Sequence, residues 1–141
     1  MRTPSVNERL AHASLRPTRA RIAVAELLKR VGRPASHADL VDSLADRFDR
    51  VTLYRAVTQM VEVGLVERVD LGDRTWRFEW KAEHEPAHAA GSHPHFICTA
   101  CHAVECLPGV TVAIKTTAKA PASVLRNAFA VRLSGLCDAC K

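Results

Sequence analysis

The sequence predicts an α+β fold in two parts: an N-terminal winged helix-turn-helix at residues 1–82 and a small α/β domain at residues 95–141, with a hinge at 83–94. Three observations predict it. Apolar residues recur with the helical period along the first part, and the period then changes to two across a hairpin. The stretch 81–94, KAEHEPAHAAGSHP, breaks both patterns with Ala, Pro, Gly and charge, which is linker composition. Beyond it stand two C-x-x-C pairs, Cys98/Cys101 and Cys137/Cys140, the second almost at the chain's end.

With 48% hydrophobic residues the chain can bury a core, but neither part is large, and small domains often need a metal staple. The net charge of +5 is uneven. Residues 1–82 carry 15 Lys and Arg against 11 Asp and Glu, and the remainder carries 5 against 4. The excess is mostly arginine, which suits a phosphate-contacting surface, although solvated faces also carry such an excess. No apolar run is long enough to span a membrane, and MRTPSVNERL is no signal peptide, so cytoplasmic residence is expected. Cytoplasmic thiols stay reduced, which favours metal binding over disulfides for the cysteine pairs. The chain shows neither an internal repeat nor a low-complexity tail.

In order, residues 6–14 can form a short helix. Pro17 breaks the chain and Thr18 can cap a second helix. Ala20, Ala23, Val24, Leu27, Leu28 and Val31 form its apolar stripe, and Gly32 and Pro34 end it. Ser36 can cap the next helix, with Asp39 as a weak capping box and Leu40, Val41, Leu44 and Phe48 on its buried face. A third helix starts near Asp49. Leu53, Ala56, Val57, Met60, Val61 and Gly64 share one face, a stripe that burial alone explains. The other face carries Thr52, Tyr54, Arg55, Thr58 and Gln59. Arg and Gln can make paired hydrogen bonds to base edges, and Thr and Tyr can reach phosphates, so this is what a major-groove reader needs; a solvated face is the plainer reading. Residues 65–70 and 74–80 read as strands around Leu71-Gly72-Asp73, with Trp76, Phe78 and Trp80 alternating with polar residues and so expected on the buried side. Three helices and a basic hairpin make a winged helix, which points to double-stranded DNA as a partner. Arg16, Arg19, Arg74 and Arg77 are candidate phosphate contacts.

The linker holds His84-Glu85-Pro86-Ala87-His88, which matches the H-E-x-x-H pattern of zinc hydrolases. That motif requires a continuous helix, and Pro86 disfavours one. Solvent-exposed hinge histidines are the plainer reading, and between the two, His88 can close over a metal.

In the second part His95–Cys98 and Val104–Leu107 read as strands. Residues 110–120 are ambiguous, 124–128 read as a helix and Phe129–Leu133 as a strand. The four cysteines form a thiolate set suited to structural Zn²⁺. His93, His95 and Cys106 remain. The histidines lie at i and i+2 on a strand and share a side, and Cys106 lies on the neighbouring strand. Imidazole plus thiolate suits Zn²⁺ and not hard cations. A fourth ligand can come from His88, Glu105 or the N-terminal part. Polar turn residues and an inert thiol are the plain alternative. His12, His37 and His102 read as exposed. The sheet edge can pair with a second copy, since readers of DNA half-sites are usually dimers.

Taken together, LRPTRARIAVAELL, VTLYRAVTQMVEVGLVERV, HPHFICTACHAVEC and LSGLCDAC resemble the ferric uptake regulator (Fur) superfamily over about residues 15–140. The resemblance implies a winged helix, an α/β dimerisation domain with a four-cysteine zinc site, and a regulatory metal site at the hinge. It implies a repressor that grips operator DNA when the regulatory site is filled. By motif position Thr52, Tyr54 and Arg55 fall on the DNA-reading segment, Cys98, Cys101, Cys137 and Cys140 on the structural zinc, and His93 and His95 on the regulatory histidines. Cys106 stands where iron and peroxide sensors usually carry a carboxylate, which favours a zinc sensor. His88 lies about where some zinc sensors place a further ligand. A further site of many members falls on Ala113 and Phe129 here, so its absence is expected. His37 is slightly out of register with an N-terminal ligand, whose place Pro34 takes. Iron, manganese or peroxide sensing is the alternative within the superfamily.

Overall fold

The computed structural model describes residues 2–81, 94–107, 109–117, 119–125 and 131–141. The chain divides into two compact units, Met1–Lys81 and Ala82–Lys141.

The first unit opens with α1 (Val6–His12), which Ser5 and Glu8 cap reciprocally. Its end turns through Ser14, at φ 56°, with Leu15 N–H bonded back to the Leu10 carbonyl. Next come α2 (Arg19–Val31), capped by Thr18, then β1 (Ala35–Ser36) and α3 (His37–Leu44), capped by Ser36 with Asp39 answering. The third long helix, α4 (Arg50–Glu62), has Asp49 as its cap. It stops because Gly64 takes φ 77° while Gly64 and Leu65 donate to the Val61 and Met60 carbonyls, a Schellman turn. Gly64 is therefore the stop signal and not part of the helical stripe. The wing follows: β2 (Val66–Asp70) and β3 (Trp76–Trp80) pair antiparallel, and β1 joins the other edge of β3. Leu10, Val24, Leu28, Leu40, Leu53, Val57, Met60 and Phe78 form one core, joining all four helices to the wing. Burying such side chains stabilises by about 1.5–3 kcal/mol each.

The wing departs from simple alternation. Phe78 is 4% exposed, as its place in the pattern requires, but Trp76 is 49% exposed and Arg77 only 8%. Arg77 sits in the middle of the sheet, between Ser36 of β1 and Val69 of β2, whereas Trp76 has only Asp70 opposite it at the hairpin's tip. The sequence misses β1, because two residues are too short to carry a period.

In the second unit β4 (His95–Cys98) is central. It pairs antiparallel with β5 (Val104–Cys106) and parallel with β6 (Arg132–Gly135). Of the strand expected at Phe129–Leu133, Arg132 and Leu133 belong to β6, Val131 does not, and Phe129 and Ala130 lie outside the described residues; β5 stops one residue before Leu107. The one described helical turn, α5, spans Ala122–Leu125. Residues 109–117 form no helix or strand, and Val110, Val112 and Ile114 are exposed. Among the described residues no helix is long and apolar enough to cross a membrane.

Candidate metal centre and nucleic-acid interface

The cysteines meet because β4 and β6 run side by side. Cys98 ends β4, and its turn closes with His102 N–H on the Cys98 carbonyl at 3.0 Å. Thr99 N–H donates to the Gly135 carbonyl at 2.8 Å, which ties that turn to the end of β6 just ahead of Cys137. Cys140 N–H closes the second turn on the Cys137 carbonyl at 3.0 Å. The sulfurs of Cys98, Cys101, Cys137 and Cys140 all lie within 4.8 Å of one another. The backbone amides of Cys101 and Cys137 donate to Cys98 Sγ at 3.5 and 3.4 Å. They hold the Cys98 thiol at a pKa of about 6, well below its ordinary value. The adjacent Cys137 and Cys101 push Cys140 up to about 12, since thiolates this close cannot all ionise without a cation. A soft set of four thiol sulfurs fits Zn²⁺, whose structural sites take four ligands and would leave no open position here. His102, at φ 60°, is exposed.

On the same sheet His95 and Cys106 are direct cross-strand partners, with ligand atoms within 4.8 Å. His95 is 7% exposed. Glu105 stands opposite Phe96, one residue out of step, so the pleat sends its side chain to the other face. This removes it as a partner for His95 and Cys106. His88, His93 and the His84–His88 motif lie outside the described residues, as does Phe129; Ala113 is exposed.

On α4, Tyr54 and Arg55 are exposed, Tyr54 by 54%. Thr52 is half-buried, and its hydroxyl donates to Asp49 at 2.8 Å. Gln59 Oε1 accepts from Arg21 Nε and Nη2 at 3.2 and 2.5 Å, so this amide also fastens α4 to α2. Thr58 is half-buried; Arg16 and Arg19 are exposed. His37, also half-buried, has Nε2 at 3.0 Å from the Arg50 carbonyl and stands edge-on to Tyr54, so it belongs to the helix surroundings rather than the open surface. Arg77 contradicts its reading as a phosphate contact: it is buried and forms an ion pair with Asp73 at 2.8 Å. Arg74 is exposed with φ 61° at the wing's tip. Sequence reasoning missed Arg68, whose guanidinium lies 4.0 Å from the Trp76 ring centroid. It stands at the middle of β2, opposite Phe78, and is exposed, so its only cue was a basic residue on a wing strand.

Comparison with curated proteins gives no match. Among solved structures the chain is similar to the Vibrio cholerae ferric uptake regulator, with TM-score 0.67 and 22% identity over 93% of this chain and 98% of that one. The Helicobacter pylori ferric uptake regulator, described as having three functional metal-binding sites, gives TM-score 0.66 and 16% identity over 99% and 97%. A zinc uptake regulator complexed with zinc and DNA gives 0.60 and 21% over 94% and 88%. At these identities the likeness shows the fold. The sequence profile of the ferric uptake regulator family matches residues 12–109. The chain therefore belongs to the ferric uptake regulator family, and is a metal-responsive transcription regulator rather than an enzyme.

Proposed function

We propose that the chain is a zinc-sensing repressor of metal-uptake genes that binds operator DNA as a homodimer. The observation that carries the metal assignment is the pairing of His95 with Cys106 across β4 and β5. Imidazole beside thiolate is a borderline-soft donor pair that suits Zn²⁺ better than Mn²⁺ or Fe²⁺. His93 and His88 complete the proposed regulatory set, and Cys98, Cys101, Cys137 and Cys140 hold structural zinc. The likeness to a zinc uptake regulator bound to zinc and DNA supports both readings. Arg55 and Gln59 are the proposed base readers, with Thr52, Tyr54 and Thr58 reaching phosphates beside Arg16 and Arg19. Homodimer formation is supported by Val110, Val112 and Ile114, exposed by 43%, 40% and 48% on one extended segment. The regulatory metal raises DNA affinity to the extent that it binds the DNA-competent shape better; a coupling of roughly 2 kcal/mol gives about a thirtyfold switch.

The test is anaerobic fluorescence anisotropy with DNA from the chain's own promoter at buffered free Zn²⁺, Fe²⁺ or Mn²⁺, with the structural zinc left in place. Tight binding with zinc alone is expected. Binding with iron or manganese alone moves the protein to another branch of the family. Cys106→Ser should weaken the metal response and leave a folded dimer; an unchanged response removes Cys106 from the sensor. Arg55→Ala should abolish operator binding with zinc content unchanged, and retained affinity sinks the assignment of α4.

A further inference from the structure

Between α4 and the wing of the first unit lies a groove of about 340 Å³, lined among others by His37, Tyr54, Thr58, Arg68, Arg74 and Trp76. Two of its walls are aromatic and open to solvent: Tyr54 is 54% exposed and Trp76 is 49% exposed. Each ring is held in place. Tyr54 meets the His37 ring edge-on with centroids 5.6 Å apart, and Arg68 lies over Trp76 at 4.0 Å. Among the described residues no carboxylate lines the groove, while Arg68 and Arg74 do. The acids nearest the tip are already engaged. Asp70 accepts Gly72 N–H at 2.8 Å, and Asp73 accepts Thr75 N–H at 3.2 Å and is neutralised by Arg77. An exposed aromatic wall with arginines and no acids is matched to an anion that carries a flat or ring-shaped apolar body.

We propose that this groove takes the sugar–phosphate backbone of a DNA duplex, with the Trp76 ring packed against deoxyribose and Arg74 and Arg68 paired to phosphates. The reading rests on the DNA-binding function proposed above and adds the part of the surface that seats the strand beside α4. It continues the exposed face of that helix, since Tyr54 and Thr58 belong to both. It replaces Arg77, which the wing uses internally, with Arg68 and Trp76 as the wing's contact residues. Arg68 acts twice, by fixing the Trp76 ring and by charge. Contacts of this kind set register and affinity without reading sequence.

Because phosphate pairing is independent of sequence, the test needs no operator. A fluorescein-labelled random-sequence duplex is titrated at a series of salt concentrations against the zinc-loaded wild type, Arg74→Ala and Trp76→Ala. Circular dichroism checks that both variants stay folded, as expected for exposed positions. For Arg74→Ala the slope of log affinity against log salt should fall by about 1, the loss of one phosphate contact. For Trp76→Ala affinity should drop by at least about fivefold with the slope unchanged, because packing carries no counterion release. Trp76→Phe should recover most of that loss. An unchanged slope for Arg74→Ala, or an unchanged affinity for Trp76→Ala, overturns the proposal while leaving the regulator reading intact. A wild type that binds no duplex even at low salt overturns both.

Discussion

Asp73 in the hairpin turn and Arg77 in β3 form an ion pair, with side chains 19% and 10% exposed and two short contacts, 2.8 and 2.9 Å. The hydrogen bond from Arg77 holds the Asp73 carboxyl below its ordinary range. The sign follows from linkage. A carboxyl depressed in the folded state contributes stability that is fully present above its unfolded pKa, near 4, and is lost as pH falls through the lower folded value. Asp73→Asn should therefore cost about 1–2 kcal/mol at neutral pH, since it leaves a buried guanidinium without its counter-charge. The deficit should shrink toward zero in acid, where the wild type loses the same interaction. Thermal unfolding of both proteins across pH reads this out, and a pH-independent gap would mean that the pair is not the source. Ser14 shows a second kind of cost. It holds φ 56° with a side chain that disfavours it, in a turn closed by Ser14 N–H on the Ala11 carbonyl and Leu15 N–H on the Leu10 carbonyl. Ser14→Gly should raise stability by about 0.5–1 kcal/mol in urea unfolding.

At the scale of elements, α4 is the part on which the DNA reading depends, and both of its ends are built. Asp49 caps the start through Thr52 N–H and hydroxyl, and Gly64 closes the end at φ 77°. A Cβ at Gly64 would meet nothing within 4 Å, so the cost of Gly64→Ala is backbone strain alone, about 1 kcal/mol. Hydrogen exchange should speed up at the Gly64 and Leu65 amides, which close the turn, while the Leu53 amide keeps its protection. Equal loss along the whole helix would argue against a local stop. Most of these helices were legible in the sequence, because each has a capping residue followed by an apolar stripe of helical period. The hairpin was legible as a hairpin, but its burial was not. Trp76 and Arg77 exchange expected places because β1 covers Arg77 and leaves Trp76 uncovered, and two residues of strand leave no pattern to read. The bond from Arg21 to Gln59 spans 38 positions and so has no local signal. The cysteine cage was legible from spacing, because C-x-x-C is a local turn. The parallel pairing of β4 with β6 that joins the two turns was not, since the strand expected at Phe129–Leu133 shares only Arg132 and Leu133 with β6.

At the scale of the whole molecule, the described residues of the two units differ in how much apolar surface they bury. The first has a continuous core that runs from Val6 to Phe78. The second, among its described residues, buries the apolar side chains of Ile97, Cys98 and Val104 and little else. With so little apolar surface buried among its described residues to offset the entropy of ordering the chain, the proposed staple is four thiolates bound to one metal ion. Removing the metal should therefore unfold one unit and spare the other. With a strong zinc chelator under reducing conditions, the amides of Cys98, Thr99 and Val104 should lose exchange protection, while those of Val57 and Met60 keep theirs. Cys137→Ser should give the same pattern without chelator, with the loss of one tightly held zinc per chain. Lower pH should act in the same direction, because the thiolates must stay deprotonated to bind. If the β4–β5 amides stay protected in fully zinc-free protein, the second unit is held by packing and the cysteine cage is not its staple.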